Sequence, residues 1–487
     1  MKLFVKRLKF SAERPICMIP ESTARELSLH VGNRVLIEKG NNKLISTVDT
    51  IDGIVTRNEI AVSEDIIKKL DLKSGDPVNV KVIKKPLSIQ LIKKKLEGHR
   101  LNKKEIYEII ENIANNSLTE VEIAFFVSAV YIDGMTLNET KNLTKAMVDI
   151  GNKLKIKGKI FDKHSIGGVA GNRTTPIVVS ICAAAGLIMP KTSSRAITSA
   201  AGTADVVETI AKVEFSIPEI KRIVKKTNAC FVWGGALGLA PTDDQIIKIE
   251  RIVNIDSESQ LLASILSKKI SVGSKYILID IPCGKSAKVS KKEAKILKRE
   301  FLKISDKFDL KLKVLLTNGS EPIGNGIGPK LEMEDVIKVL SRKNPPKDLE
   351  EKSLKLSSEL LKLAGKNPKI AKELLESKKA YKKFLEIVKE QQGNINKLKK
   401  LKPNFSFNII SDYKSKIKHI DNELINSLAR YAGCPEDKAA GIYIYKKRDS
   451  LLDKGEKIMT VYSTSIEKMK YVKSFYKKNK KKIVEFY

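Results

Sequence analysis

The chain has 487 residues, of which 42% are hydrophobic, and its formal net charge at pH 7 is +34. This length is too great for one hydrophobic core, so several domains are expected. The best apolar run, residues 177–189, is shorter than the roughly 20 residues that a membrane-spanning helix needs, which argues against a membrane protein. The N-terminus has no signal-peptide pattern, so the protein is predicted to be cytoplasmic.

Cysteine, histidine and lysine usage argues against three further classes of protein. The five cysteines are far apart without a Cys-x-x-Cys pair, which favours reduced, mostly buried thiols over a disulfide framework. The four histidines are equally scattered, so no metal site is expected. Most lysines alternate with acidic residues in helical patterns, which is typical of a solvated surface. The basic run at residues 477–482 has no known nucleic-acid reader motif beside it, and no nucleic-acid partner is predicted.

The first 86 residues contain an internal duplication. The spacing of two leucines, a glycine and a valine recurs: Leu27, Leu29, Gly32 and Val35 in the first copy, and Leu70, Leu72, Gly75 and Val78 in the second. Each copy predicts a strand, a short helix, a glycine turn and an alternating strand. Two such copies predict a small β-barrel over residues 1–86. The segment lacks a cluster of catalytic residue types, which favours a role in assembly.

The rest of the chain alternates between helical and α/β patterns. Apolar periodicity predicts helices over residues 88–154 and again over 239–272, so a discontinuous helical domain is expected. Strands, glycine-rich loops and helices alternate over 155–238 and 273–403, which predicts a large mixed α/β domain with a mostly parallel sheet. Residues 404–487 predict an α+β unit. We expect the helical domain to pack beside the sheet across a cleft, where small ligands commonly bind.

Two loops in the α/β domain have the composition of anion-binding loops. Residues 164–173 follow a strand predicted over residues 159–163 and contain three glycines, which let backbone N–H groups approach an anion. Thr175 is predicted as the N-cap of the next helix and Pro176 as its first residue. A second predicted strand, residues 187–191, leads into a hydroxyl-rich segment that opens another helix. Two such loops at neighbouring strand ends predict one phosphate pocket.

The same segment resembles a known family. Lys163-His164-Ser165-Ile166-Gly167-Gly168-Val169 is similar to the Lys-His-Ser-x-Gly-Gly-Val pattern of thymidine and pyrimidine-nucleoside phosphorylases. The resemblance covers roughly residues 88–487, with the family's elements in order. The duplicated front domain resembles the archaeal branch of that family, the AMP phosphorylases. This implies the conversion of AMP and phosphate into adenine and ribose 1,5-bisphosphate, with CMP and UMP as further substrates.

The resemblance also implies roles for individual residues. The attacking phosphate would be held by Lys163, Ser165, Thr174, Ser193 and Thr203. The nucleotide would contact Gly168, Ser194, Arg195, Ala196, Ile197, Thr198, Ser199, Thr203, Ser264 and Lys288. His164 and Lys268 are further candidates for substrate contacts. The reaction needs no cofactor, and the family implies a homodimer or a higher homo-oligomer.

Asp256 is the candidate general acid. It resembles the proton donor of the AMP phosphorylases and precedes the helix that carries Ser264. Protonation of the departing adenine would accelerate cleavage, because the adenine anion is a poor leaving group. The alternative is an aspartate that merely caps the helix.

Four alternative functions compete with nucleotide phosphorolysis. Pyrimidine-nucleoside phosphorylases place an arginine where this chain has Ile249, which argues against them, although Arg251 lies nearby. Anthranilate phosphoribosyltransferase shares a pattern like Gly202-Thr-Ala-Asp205, but the Lys163-His164-Ser165 motif argues against it. A basic nucleic-acid-binding protein would show steeply salt-dependent binding without base release. A noncatalytic phosphate sensor is the fourth alternative.

Overall fold

The structure is a computed structural model that describes residues 1–12, 14–196, 199–253, 255 and 257–487. The chain forms two units. The first unit contains Met1–Gly151 and Ala240–Ser264, and the second contains Asn152–Leu239 and Ile265–Tyr487. Within the described ranges, no helix is both long enough and apolar enough to cross a membrane. Cys17, Cys182, Cys230, Cys283 and Cys434 are all buried and free.

The front of the first unit is a closed six-stranded barrel with strand order β1-β5-β2-β4-β3-β6. Its strands and helices are β1 (Lys2–Lys6), β2 (Ile16–Ile19), α1 (Glu21–Glu26), β3 (Arg34–Lys39), β4 (Asn42–Thr50), β5 (Glu59–Val62), α2 (Glu64–Leu70) and β6 (Pro77–Val82). The duplicated leucines and valines lie together in or against its apolar core. The predicted small barrel is therefore confirmed.

The remainder of the first unit is helical. Its helices are α3 (Ser88–Leu96), α4 (Lys103–Ala114), α5 (Glu120–Asp133), α6 (Leu137–Ile150), α10 (Pro241–Val253) and the start of α11 (Glu258–Val272), which ends in the second unit. α4, α5 and α6 each begin with a capping box, in which Asn102, Thr119 or Thr136 bonds the backbone of a glutamate three residues later. These caps explain why the chain breaks into separate helices.

The second unit is built on parallel strands. Its first strands and helices are β7 (Phe161–Ser165), α7 (Thr174–Ala184), β8 (Met189–Ser193), α8 (Thr203–Glu208), α9 (Ile217–Thr227), β9 (Ala229–Trp233), β10 (Tyr276–Cys283), α12 (Lys291–Asp306) and β11 (Lys311–Asn318). The strands pair in parallel as β11-β10-β7 and as β8-β9. β10 is apolar almost throughout because both faces of such a sheet are covered.

One large apolar core lies between this sheet and the helices that pack on it. These helices are α7, α13 (Pro329–Ser341), α14 (Lys347–Leu363), α15 (Ile370–Glu376) and α16 (Lys379–Glu390). The C-terminal part adds a four-stranded and a three-stranded antiparallel sheet, together with two helices, around a second core. Its elements are β12 (Gly326–Ile327), β13 (Phe405–Ile410), β14 (Ser415–Ile420), α17 (Asn422–Ala432), β15 (Gly441–Ile444), β16 (Leu451–Leu452), β17 (Lys457–Ser463), α18 (Ile466–Ile483) and β18 (Val484–Phe486).

Candidate active site

The carboxyl ends of β7 and β8 lie at one edge of the parallel strands in the second unit. β7 pairs with β10, with Ser165 opposite Asp280. A parallel bridge between Ile160 and Ile188 joins the segments that precede β7 and β8. Because parallel strands end at the same edge, Ser165 and Ser193 both lie there. This is the edge at which open α/β sheets commonly bind ligands.

Both strands end two residues later than the sequence predicts. The predicted ends are residues 163 and 191, whereas β7 ends at Ser165 and β8 at Ser193. The reason is that pairing with β10 continues to Ser165 and pairing with β9 continues to Ser193. His164 and Ser165 therefore belong to a strand, and the prediction that they lie in a loop is wrong.

Lys163 is buried beside the start of helix α7. Its Nζ donates to Thr174 Oγ1 at 2.8 Å and to Thr175 Oγ1 at 3.3 Å. Burial lowers the pKa of Lys163 to about 8. Thr174 is the first helical residue and Arg173 is the N-cap, so the prediction of Thr175 as N-cap is wrong. Because the lysine occupies an acceptor position on each hydroxyl, the hydroxyl hydrogens are left to donate elsewhere.

Gly168 brings the first loop against Lys288. Its φ of +85° suits glycine, and a Cβ at this position would lie 2.5 Å from Lys288 Cβ and 2.7 Å from Lys288 N. No side chain fits between the two backbones. The structure therefore places these two predicted nucleotide contacts next to each other.

The second loop folds back on itself between β8 and α8. Asp205 Oδ2 accepts hydrogen bonds from Ala196 N at 2.7 Å and from Gly202 N at 2.8 Å. Ser199 Oγ donates to Ala201 O at 2.9 Å. The predicted contacts Ser194, Arg195, Ala196, Ser199 and Thr203 all lie in this loop or at its end. Ile197 and Thr198 lie outside the described residues.

The Arg195 side chain is directed towards carboxylates. Its guanidinium bonds Glu208 at 2.8 Å, Glu214 at 3.1 Å and Asp205 at 3.2 Å, and it lies 4.7 Å from the centre of the Trp233 ring. The hydrogen bond to Glu208 first, and then that to Asp205, raise the pKa of Arg195 above its ordinary value. A substrate phosphate would have to compete with three carboxylates for this side chain.

A buried ion cluster lies beneath the site. Asp162 Oδ1 is 2.9 Å from Lys191 Nζ, and Asp162 Oδ2 is 2.7 Å from Lys269 Nζ. Burial lowers the pKa of Lys269 below its ordinary value. The pKa of His164 is held well below its ordinary value, first by burial and then by Lys269 and Lys191. His164 is therefore a neutral imidazole at physiological pH.

Two family models match the chain. The helical bundle domain of a glycosyl transferase family matches residues 89–151, and the a/b domain of the same family matches residues 157–267. Curated relatives match nearly the whole length. The AMP phosphorylase of Methanocaldococcus jannaschii is 42% identical over 446 residues, which cover 90% of this chain and 89% of that protein. The AMP phosphorylase of Thermococcus kodakarensis is 42% identical over 476 residues, which cover 95% and 94%.

This chain belongs to the AMP phosphorylase family.

The fold is shared beyond the AMP phosphorylases. The anthranilate phosphoribosyltransferase of Thermus thermophilus matches with a TM-score of 0.52 and 16% identity, covering 62% of this chain and 99% of that one. This likeness shows the fold alone.

The remaining sequence candidates fall on α10 and α11 or between them in the chain. Ile249 is buried in the helical core, so it does not act as a polar contact to a base. Ser264 Oγ donates to Asp243 Oδ2 at 2.9 Å. Asp256, the candidate general acid, lies outside the described residues. Lys268 lies on the part of α11 that belongs to the second unit.

The sequence does not predict a role for Arg173. Its guanidinium lies within the second unit, bonded to Thr203 Oγ1 at 2.8 Å, Ala201 O at 2.6 Å and Glu332 Oε2 at 2.7 Å. It therefore joins the start of α7 to the start of α8. The sequence contains no signal for this, because glutamate and arginine are 159 residues apart.

Two asparagines of α17 were also missed. Asn422 Oδ1 accepts from Ala170 N in the first loop, and Asn426 Oδ1 accepts from Ala200 N in the second, both at 3.0 Å. The two side chains are one helical turn apart and both are buried. The C-terminal part of this AMP phosphorylase family member thus supports both loops. An asparagine pair spaced i, i+4 within an apolar helical pattern is the only sequence signal that could have found them.

Proposed function

We propose that this protein cleaves AMP with inorganic phosphate to give adenine and ribose 1,5-bisphosphate, and that it accepts CMP and UMP in the same way. The observation that carries the proposal is the buried Lys163 bonded to Thr174 at the start of α7, in a member of the AMP phosphorylase family. A lysine in this position combines a positive charge with a helix N-terminus, and both attract a phosphate.

In the proposed reaction, phosphate attacks C1' of the ribose while the bond to the base breaks. The transition state has oxocarbenium character, so orientation and charge stabilisation supply most of the rate enhancement. Lys163, Thr174, Ser165 and Ser193 hold the phosphate. Thr203 lies at the start of α8, where it binds an anionic group of either substrate.

We assign the nucleotide to the residues that the family resemblance implies. The proposed contacts are Gly168, Ser194, Arg195, Ala196, Ile197, Thr198, Ser199, Thr203, Ser264 and Lys288. The proximity of Gly168 and Lys288 supports this assignment for two of them. Arg195 and Lys288 are the charged candidates for the 5'-phosphate, and of these Arg195 would have to exchange bonds to three carboxylates.

A separate group must protonate the departing base. His164 is a neutral imidazole whose pKa is held well below its ordinary value by burial, so it can accept a hydrogen bond but is a poor proton donor. We assign the proton to Asp256, as the family resemblance implies. To donate near neutral pH, this carboxyl would have to have its pKa raised by burial.

We also propose that the protein is at least a homodimer in the cytoplasm, where AMP is available. Val121, Phe125 and Ile132 recur at helical spacing on α5, with 65%, 53% and 74% of their surfaces exposed. An apolar stripe of this kind is typical of an interface between copies of a protein. Size-exclusion chromatography with light scattering of Phe125→Glu would test it, because a charge in the stripe should produce a monomer.

The function is tested by incubating the protein with phosphate and separately with AMP, CMP, UMP, adenosine, uridine and thymidine. Free base is measured by liquid chromatography, with and without phosphate. We expect phosphate-dependent base release from the monophosphates. Lys163→Met should abolish it, whereas Lys159→Met, an exposed lysine of the same segment, should not. Release from uridine or thymidine but from none of the monophosphates would contradict the proposal.

A further inference from the structure

We propose that Arg173 is a positioning residue that fixes the hydroxyl of Thr203, so that this hydroxyl donates its hydrogen to a substrate anion. The inference rests on the proposed function, because it takes Thr203 as a substrate contact. Arg173 is buried and does not itself bind the substrate, so it acts on the reaction through Thr203.

The contacts of Arg173 hold its guanidinium in one orientation. Three nitrogens of the fork bond three different partners: Nε bonds Glu332 Oε2, Nη1 bonds Thr203 Oγ1 and Nη2 bonds Ala201 O, at 2.6 to 2.8 Å. The whole arginine is 9% exposed and Glu332 is 2% exposed. Gly328 N donates to Glu332 Oε1 at 3.0 Å, so the glutamate is also held in place. A planar, fixed set of donors of this kind positions its partners accurately.

The bond to Thr203 decides which role the hydroxyl can play. A threonine hydroxyl has one hydrogen and two acceptor positions, and arginine can only donate. Arg173 therefore occupies an acceptor position on Oγ1. Within the described parts of the chain, Thr203 Oγ1 donates to no protein acceptor. Its hydrogen is left for a ligand, and the ligand must supply an acceptor, as a phosphate oxygen does.

The same arrangement occurs in the first loop. Thr174 is the first residue of α7 and Thr203 is the first residue of α8. Thr174 Oγ1 accepts from Lys163 at 2.8 Å, and Thr203 Oγ1 accepts from Arg173 at 2.8 Å. Two buried cations thus hold two threonine hydroxyls as donors. The charge of Arg173 is balanced by Glu332, with a closest N–O distance of 2.6 Å, so its contribution is orientation rather than attraction of an anion.

A double-mutant cycle tests the inference. Arg173→Met, Thr203→Val and the double variant are compared with the unmodified protein for the kcat, KM and kcat/KM of both AMP and phosphate. Loss of a hydrogen bond to a charged group predicts that each single variant loses about tenfold or more in kcat/KM for one of the two substrates. If the arginine acts through Thr203, the double variant should be no worse than Thr203→Val within about twofold. Independent losses that multiply would overturn the inference.

Chemical rescue separates positioning from a purely structural role. Arg173→Ala should regain activity when guanidinium is added at millimolar concentration, and an equal concentration of sodium chloride should not restore it. Arg222→Ala, at an exposed arginine of α9, is the matched control and should respond to neither salt. A lowered melting temperature of Arg173→Ala with an unchanged kcat/KM of the folded fraction would show a structural role only.

The inference remains testable if the arginine variants do not fold. Thr203→Ser keeps the hydroxyl and should bind one of the two substrates more tightly than Thr203→Val, which lacks it. Calorimetric titration of both variants with phosphate and with AMP gives the same comparison without catalysis. Equal binding of both ligands by the two variants would overturn the inference. Failure of the unmodified protein to release adenine would count against the proposed function, and the titrations would still decide the role of the hydroxyl.

Discussion

Replacing Gly168 with alanine should damage the site far more than it damages the fold. The new Cβ would lie 2.5 Å from Lys288 Cβ and 2.7 Å from Lys288 N, where ordinary contacts begin at 3.4 Å. The loop and Lys288 must therefore separate by about 1 Å, a misplacement that can cost on the order of 100-fold in rate. The positive φ adds about 1–2 kcal/mol of strain in the alanine variant.

Gly186→Ala is the matched control for this change. Gly186 has a φ of +86°, nearly the same as Gly168, and a Cβ there meets nothing within 4 Å. It lies in the turn between α7 and β8, remote from the carboxyl edge. Both variants should lose stability from the strained backbone, as measured by thermal unfolding, but only Gly168→Ala should lose kcat/KM for AMP. Equal activity of the two variants would refute the close approach of the loop to Lys288.

Three further predictions concern the charge of Lys163, the proton donor Asp256 and the hydrogen bond from the second loop to Asn426. Since the pKa of Lys163 is about 8 and only the charged amine attracts phosphate, kcat/KM for phosphate should fall as pH rises beyond that value, and a flat profile from pH 7 to 9.5 in initial rates would be inconsistent with its role. Asp256→Asn should lower kcat by about 100- to 10,000-fold with little change in the Kd of AMP by calorimetry; normal turnover would remove it as the proton donor. Asn426→Leu leaves the buried N–H of Ala200 without its acceptor, at a cost of about 1–3 kcal/mol, so thermal unfolding should occur at a lower temperature and the KM of AMP should rise. An unchanged KM would show that the loop does not depend on α17.

Local patterns were sufficient for the barrel and the helices. The repeated leucines of residues 27 and 70 predicted two similar strand-helix-strand segments, because burial of the same side chains requires the same alternation. The structure has such segments at β2-α1-β3 and β5-α2-β6. The predicted helical stretches likewise contain α3 to α6, whose capping boxes are readable in the sequence.

The ends of β7 and β8 could not be predicted from local pattern. Ser165 and Ser193 are polar and follow the polar residues His164 and Thr192, so they look like loop residues. Their strand conformation comes from pairing with Asp280 of β10 and Trp233 of β9, which are distant in sequence. Polar residues at paired strand ends are typical of the edge of a sheet that binds a ligand, and not of a hydrophobic core.

The residues that hold the two loops in place could not be predicted from the sequence for the same reason. Arg173 and Glu332 are 159 residues apart, and Ala170 and Asn422 are 252 residues apart. Tertiary folding alone brings these groups together. The sequence predicted side chains that face a substrate, whereas the side chains that hold them in place emerged only from the structure.

The central claim is that phosphate, rather than water, cleaves the bond between ribose and adenine. The most direct test is to incubate the protein with AMP and phosphate labelled with ¹⁸O at every oxygen, then to analyse the sugar product by mass spectrometry. Attack of phosphate on C1' predicts ribose 1,5-bisphosphate with all of the labelled oxygens in the new C1 phosphate ester. Formation of unlabelled ribose 5-phosphate with free adenine would contradict the account.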